Sequence, residues 1–112
     1  MRALVAISTL VIALGCAMTR SGALDSALDN YMKGNYEKAI RRADLALHIG
    51  TPTAEDRARA AIIKAQSLDQ LGDTTAAVGL YQYIVETFPD DPESYQARER
   101  LRHLQRAGEA SP

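Results

Sequence analysis

The sequence is poor in cysteine, in aromatic residues and in net charge. Its 112 residues include one cysteine, one phenylalanine, five tyrosines and no tryptophan, and 13 basic residues nearly balance 14 acidic ones. A nucleic-acid-binding protein needs a concentrated basic face, so this balance argues against that class. No apolar run reaches the roughly 18–20 residues of a comfortable transmembrane helix. The length allows one domain, and abundant alanine with few aromatics favours closely packed helices over a sheet.

Charged residues of both signs are interspersed near the end of the chain. The residues concerned are Glu93, Arg98, Glu99, Arg100, Arg102, Arg106 and Glu109. A mixture of this kind is typical of a solvated helix face and does not indicate a nucleic-acid-binding surface.

The sequence contains no arrangement typical of catalysis or metal binding. His48 follows Asp44 by four residues, and His103 follows Glu99 by four, so each pair shares a helix face. A zinc site needs three or four ligands, whereas each of these pairs supplies two. There is no Gly-x-Ser-x-Gly elbow and no glycine-rich phosphate loop after a strand. We therefore expect a protein that is not an enzyme and holds no metal or cofactor.

The first residues have the pattern of an export signal. Arg2 precedes the 12 residues 3–14, which are apolar except for Ser8 and Thr9. The apolar region of a secretory signal has about 7–15 residues, so this segment predicts export rather than a transmembrane helix.

The next residues resemble the lipobox of bacterial lipoproteins. A small residue precedes the single cysteine in Ala13-Leu14-Gly15-Cys16. The resemblance implies cleavage before Cys16 and attachment of acyl chains to its sulfur and to the new N-terminus, and two or more chains anchor a protein durably. It thus predicts a signal peptide over residues 1–15 and a lipid-anchored linker over 16–20. In this family an aspartate after the cysteine signals inner-membrane retention, so Ala17 implies the periplasmic leaflet of the outer membrane.

Two other outcomes stay open for the same segment. Gly15-Cys16-Ala17 also fits the small-x-small site of the ordinary signal peptidase. Cleavage after Ala17 would release a soluble periplasmic protein that begins at Met18. Without cleavage, the apolar segment would itself remain as the anchor.

Beyond this segment, apolar residues recur at helical spacing between glycines. Gly34, Gly50 and Gly72 stand where helices could end in a left-handed turn. The apolar stripes, which predict five helices, are Leu24-Ala27-Leu28-Tyr31; Tyr36-Ala39-Ile40-Ala43-Ala46-Leu47; Ala58-Ala61-Ile62-Ala65-Leu68-Leu71; Ala77-Leu80-Tyr81-Ile84-Phe88; and Tyr95-Leu101-Leu104. Asn35, Asp73, Thr53 with Asp56, and Asp91-Pro92 predict the helix starts.

An internal repeat relates two of these segments. Gly34-Asn35-Tyr36-Glu37-Lys38-Ala39-Ile40 aligns with Gly72-Asp73-Thr74-Thr75-Ala76-Ala77-Val78 at an offset of 38 residues, which also places Ala46 on Ile84. Together with Ala77-x3-Tyr81 and Phe88-Pro89, this pattern resembles the tetratricopeptide family over residues 20–107. With the lipobox, the whole chain resembles a small bacterial tetratricopeptide lipoprotein. Small positions (Ala39, Ala46, Ala65, Ala77) allow close helix approach, and aromatic positions (Tyr31, Tyr36, Tyr81, Phe88) fill the gaps.

The resemblance implies an all-α stack of antiparallel helix hairpins. We expect two tetratricopeptide-like repeats and a C-terminal capping helix over residues 21–107, followed by a disordered tail over 108–112. In this family the first helices of the repeats line a groove that binds a partner helix or an extended peptide. By family register, the groove residues are Leu24, Leu28, Tyr31, Ile62, Gln66 and Asp69. The alternative is that Leu24, Leu28 and Ile62 only complete the core.

The function expected from the resemblance is protein–protein interaction in the bacterial cell envelope. The protein would act as a membrane-anchored adaptor or scaffold. Alternatives are a structural subunit that self-assembles through the open end of the stack, and a soluble periplasmic protein if Cys16 is not lipidated. Two repeats and a cap lie near the lower limit for independent stability, so a homo-oligomer is one expected state.

Overall fold

The computed structural model describes residues 20–110. In this range the chain forms five helices and no strand: α1 (Arg20–Met32), α2 (Tyr36–His48), α3 (Ala54–Gln70), α4 (Thr74–Thr87) and α5 (Pro92–Ala110). The predicted all-α stack of helix hairpins is confirmed. The predicted signal peptide and Cys16 lie outside the described residues, as do nearly all of the predicted linker and residues 111–112. None of the described helices is long and apolar enough to cross a bilayer.

The helices form two hairpins and a final single helix. Each helix packs on the next one in the chain, and in addition α1 touches α3 and α3 touches α5. We call α1–α2 the first hairpin and α3–α4 the second hairpin. The odd-numbered helices therefore lie side by side in one layer, with α3 between α1 and α5.

Small side chains make this close packing feasible. The four alanines predicted at close-approach positions are all buried: Ala39, Ala46, Ala65 and Ala77. Of the predicted aromatic residues, Tyr81 and Phe88 are buried, whereas Tyr31 and Tyr36 are half-buried and contact each other with ring centroids 5.7 Å apart. The core is thus built from alanine-lined helix contacts with a few large residues between them.

The two hairpin turns are identical in backbone structure. Gly34 and Gly72 have φ angles of 83° and 86°, in the left-handed region that glycine tolerates best. Asn35 N–H donates to Asn30 C=O at 2.8 Å, and Asp73 N–H donates to Leu68 C=O at 2.9 Å. These are the bonds of a Schellman helix end. The 38-residue offset seen in the sequence is therefore a structural repeat.

The predicted helix starts are confirmed with one difference in detail. Thr53 and Asp56 form a reciprocal capping box, and the Asp73 carboxylate accepts the N–H of Ala76 at 3.3 Å. Asn35 occupies the N-cap of α2, but its side chain makes no capping bond. Its Nδ2 instead donates to Asn30 Oδ1 at 3.4 Å, so the bond that the Asn35 side chain makes is to the preceding helix and does not cap α2.

The last helix is longer than the sequence pattern indicates. α5 continues through residues 108–110, which the sequence analysis assigned to the tail. Gly108 does not have a positive φ angle, and the residues around it are alanine and glutamate, which favour helix. Helix α5 therefore has 19 residues, compared with 14 in α4.

Candidate binding site between α1, α3 and α5

The junction of the three odd-numbered helices carries a polar recess of about 220 Å³. Side chains from α4 also reach it. Its lining residues are Tyr31, Gln66, Asp69, Gln70, Tyr81, Gln96 and Arg100. We refer to this set as the recess.

An ion pair between α3 and α5 forms one wall of the recess. Arg100 donates through Nε to Asp69 Oδ2 at 2.5 Å and through Nη2 to Asp69 Oδ1 at 3.0 Å. The Asp69 side chain is 10% exposed and that of Arg100 is 44% exposed. Two parallel bonds fix the plane of the guanidinium.

A third helix holds the same carboxylate. The Tyr81 hydroxyl of α4 donates to Asp69 Oδ2 at 3.1 Å, and Tyr81 itself is 2% exposed. The bonds from Arg100 lower the pKa of the Asp69 carboxyl, and the bond from Tyr81 lowers it further. Burial, followed by the charge of Asp69, raises the pKa of the Tyr81 hydroxyl well above its usual range. At neutral pH the wall therefore contains one negative and one positive charge and a neutral hydroxyl.

Amide side chains line the rest of the recess. Gln66 Nε2 of α3 donates to Gln96 Oε1 of α5 at 3.4 Å. Each glutamine amide has two donor hydrogens and an acceptor oxygen, so this single bond leaves groups available to a ligand. Tyr31 closes the side towards α1, and its partial burial raises the pKa of its hydroxyl, with smaller contributions from Tyr36 and Asp69. The lining is polar and has no net charge.

Half of the predicted groove residues belong to the recess. Tyr31, Gln66 and Asp69 line it. Leu24 and Ile62 are buried, at 5% and 6% exposure, and belong to the core. Leu28 is 40% exposed and lies outside the recess lining. The six predicted groove residues are thus divided between the polar recess, the core and a partly exposed leucine.

No protein-family model matches the chain, and no curated protein or solved structure matches it.

The described residues contain no group of three or more potential metal ligands. The Asp44 carboxylate pairs with Lys64 at 2.8 Å, and His48 Nδ1 lies 2.6 Å from the Asp44 carbonyl oxygen. Glu99 pairs with Arg102 at 2.8 Å. His48 and the carboxylates of Asp44 and Glu99 are thus engaged in local protein contacts.

Sequence reasoning missed the partners that complete the recess. Tyr81 was interpreted only as a gap-filling aromatic, Arg100 as part of a solvated face, and Gln96 was not singled out. No local signal in the sequence marks these partners; in the structure the pairs Asp69–Arg100 and Gln66–Gln96 are separated by 31 and 30 residues. Two pairs at nearly one spacing indicate that α3 and α5 lie side by side in a fixed register.

Proposed function

We propose that this chain is a tetratricopeptide-like protein-binding module of the bacterial cell envelope, anchored through lipid on Cys16. The observation that carries the proposal is the recess, where ordered polar groups from four helices face an open space. A site with fixed donors and acceptors and no net charge is suited to an uncharged polar ligand. The main chain of an extended polypeptide is such a ligand, because it offers alternating N–H and C=O groups.

The ordering of the recess supports binding rather than a merely solvated surface. Arg100 is held by two bonds to Asp69, and Asp69 is held again by Tyr81. Side chains that are already immobilised lose little conformational entropy when a partner binds. The recess would therefore present its hydrogen-bonding groups at low entropic cost.

Photo-cross-linking in the native envelope tests partner binding. A photoreactive residue at Gln70, an exposed recess position, should yield discrete adducts, whereas the same residue at the exposed Lys38 of α2 should not. Arg100→Ala should lower the yield of the Gln70 adduct by about tenfold, because a hydrogen bond to a charged group is worth roughly 1.5–3 kcal/mol.

The matched control for Arg100 is Arg102. Both are arginines of α5, but Arg102 pairs only with the half-exposed Glu99. Arg102→Ala should leave the adduct unchanged, because exposed pairs contribute little. Equal adducts from Gln70 and Lys38, or equal effects of the two arginine variants, would contradict the proposal.

The anchor has a separate test. The apolar residues 3–14 and the small residue before Cys16 support export with lipidation. Mass spectrometry of the membrane-extracted N-terminus should find an acylated Cys16, and Cys16→Ser should move the protein out of the membrane fraction. An unmodified N-terminus at Met18 would instead favour the soluble periplasmic alternative, and separation of the two membranes would test the outer-membrane assignment.

A further inference from the structure

A second groove lies between α4 and α5, away from the recess. Its volume is about 540 Å³. We call it the end groove; it is lined by Thr74, Val78, Gln82, Leu101, Leu104 and Gln105. Val78, Leu101 and Leu104 are only partly buried, and no other described helix packs beside α5 at this end of the stack. The end groove is therefore an apolar surface without a partner in the described residues.

One edge of the end groove is basic. Arg98, Arg102 and Arg106 are spaced four residues apart on α5, and Arg98 and Arg102 each precede a groove residue by three. Positions three and four apart are neighbours on a helix surface. The opposite wall, α4, carries Glu86 as its only charged residue.

The three arginines of this edge are engaged only weakly by the chain's own groups. Arg98 donates to the Pro89 carbonyl oxygen at 3.0 Å, and Arg102 pairs with Glu99 at 2.8 Å with both side chains about half-exposed. Arg106 is exposed. Pairs of this kind contribute little and exchange readily with other partners.

The first helix carries the complementary pattern at the opposite end of the stack. Leu28 and Met32 are spaced four residues apart and are 40% and 77% exposed. Asp25 and Asp29 are exposed and precede them by three residues each, so an acidic edge borders the apolar pair. Lys33 pairs with Asp29 at 2.9 Å, again between highly exposed side chains. We call Asp25, Leu28, Asp29 and Met32 the α1 strip.

We propose that copies of this chain associate head to tail, with the α1 strip of one copy seated in the end groove of the next. The apolar pair of the strip meets the apolar groove lining, and its acidic edge meets the arginine edge. Contact between two end grooves is disfavoured, because it would bring two basic edges together. A head-to-tail contact uses two different surfaces, so it repeats along a row or closes into a ring.

Thiol cross-linking of two tagged forms of the full chain tests this arrangement. One form carries Met32→Cys and the other Gln105→Cys, and both are expressed in the native envelope with a short flexible bis-maleimide added. We expect cross-links between the two tags and none between copies of the same tag. A mixed-tag product requires the strip and the groove to meet, whereas a two-fold contact centred on either surface joins like with like.

Controls separate this contact from collision and from the native Cys16. The chain without added cysteine measures any reaction of Cys16, and Lys38→Cys mixed with Gln105→Cys measures collisions. Leu104→Asp in the Gln105→Cys form should lower the mixed-tag product by about tenfold or more, because it places a charge in the apolar lining. Elevated ionic strength should lower the product as well, because exposed charge pairs are screened.

Two outcomes would overturn the proposal. One is a predominance of Met32–Met32 or Gln105–Gln105 products, which would indicate a symmetric contact. The other is a mixed-tag yield no higher than that of the Lys38 control. The recess residues are unaltered in these variants, so either result leaves the partner-binding proposal to its own test.

Discussion

At Gly34 and at Gly72 the chain makes the same turn, yet the helices that follow contain side chains of different size. α4 places Tyr81 and Ile84 in the core, and both are buried. The equivalent residues of α2 are Ala43 and Ala46, which are buried too. The turn is thus a local property of the backbone, whereas the size of the buried side chains decides how the core of each hairpin is packed. Only the second hairpin has a tyrosine that reaches a carboxylate, so the recess forms there.

The largest expected effect comes from removing bulk in the second hairpin. Ile84 is fully buried, so Ile84→Ala should lower the free energy of unfolding by about 2–4 kcal/mol through lost burial and a cavity. The equivalent position already holds alanine, so Ala46→Ile should also destabilise, by roughly 1–3 kcal/mol, through overpacking. Urea denaturation followed by circular dichroism measures both. A stabilising Ala46→Ile would show that the first hairpin has room for a side chain as large as that of Ile84.

The second effect concerns the two carboxylates that link each hairpin to the next helix. Asp69→Asn should destabilise by about 1.5–3 kcal/mol at neutral pH, because Arg100 and Tyr81 lose a charged acceptor. Asp44→Asn removes the charged partner of Lys64 and should cost less than about 1 kcal/mol, because the Asp44 side chain is more exposed than that of Asp69.

The effect of Asp69→Asn on stability should depend on pH. The pKa of the Asp69 carboxyl is lowered in the folded state, so its contribution is fully present above the unfolded value of about 3.9. It is lost as pH falls through the lowered folded value. The difference in stability between the native chain and Asp69→Asn should therefore be constant near neutrality and shrink in acid. A difference that grows in acid would contradict this assignment.

Replacing the glycine should cost the same stability in both hairpin turns. Gly34→Ala and Gly72→Ala meet no atom within 4 Å at the added Cβ, so the cost is the left-handed backbone alone, about 1–2 kcal/mol in each case. Thermal unfolding of both variants provides the comparison. A difference of more than about 0.5 kcal/mol would show that the two turns are not energetically equivalent.

The smallest expected difference lies at the helix starts. Asp73→Ala should cost about 1 kcal/mol, because the carboxylate accepts the N–H of Ala76. Asn35→Ala should cost only a few tenths of a kcal/mol, since its side chain makes no capping bond. Equal losses in a denaturation experiment would show that Asn35 caps α2 in solution.

Local signals in the sequence were enough to predict the helix order and most helix ends. A glycine with a positive φ angle, a Thr-x-x-Asp box and a proline at the first helical position act within a few residues. Asn35 shows the limit of such local signals, because its side chain donates to Asn30 of the preceding helix and makes no capping bond. The recess was harder to predict, because the bonds from Arg100 to Asp69 depend on the relative register of α3 and α5.

The order of helix contacts has a consequence for folding. In the described part of the chain, every helix touches its sequence neighbour, and the longest-range contacts join helices separated by only one other. No distant segments have to find each other, so little loop-closure entropy is lost before native contacts form. Helical proteins with such local contacts fold in microseconds to milliseconds. A further 38-residue hairpin inserted between the two hairpins, in the link from α2 to α3, would extend the array and preserve the contacts within each existing hairpin.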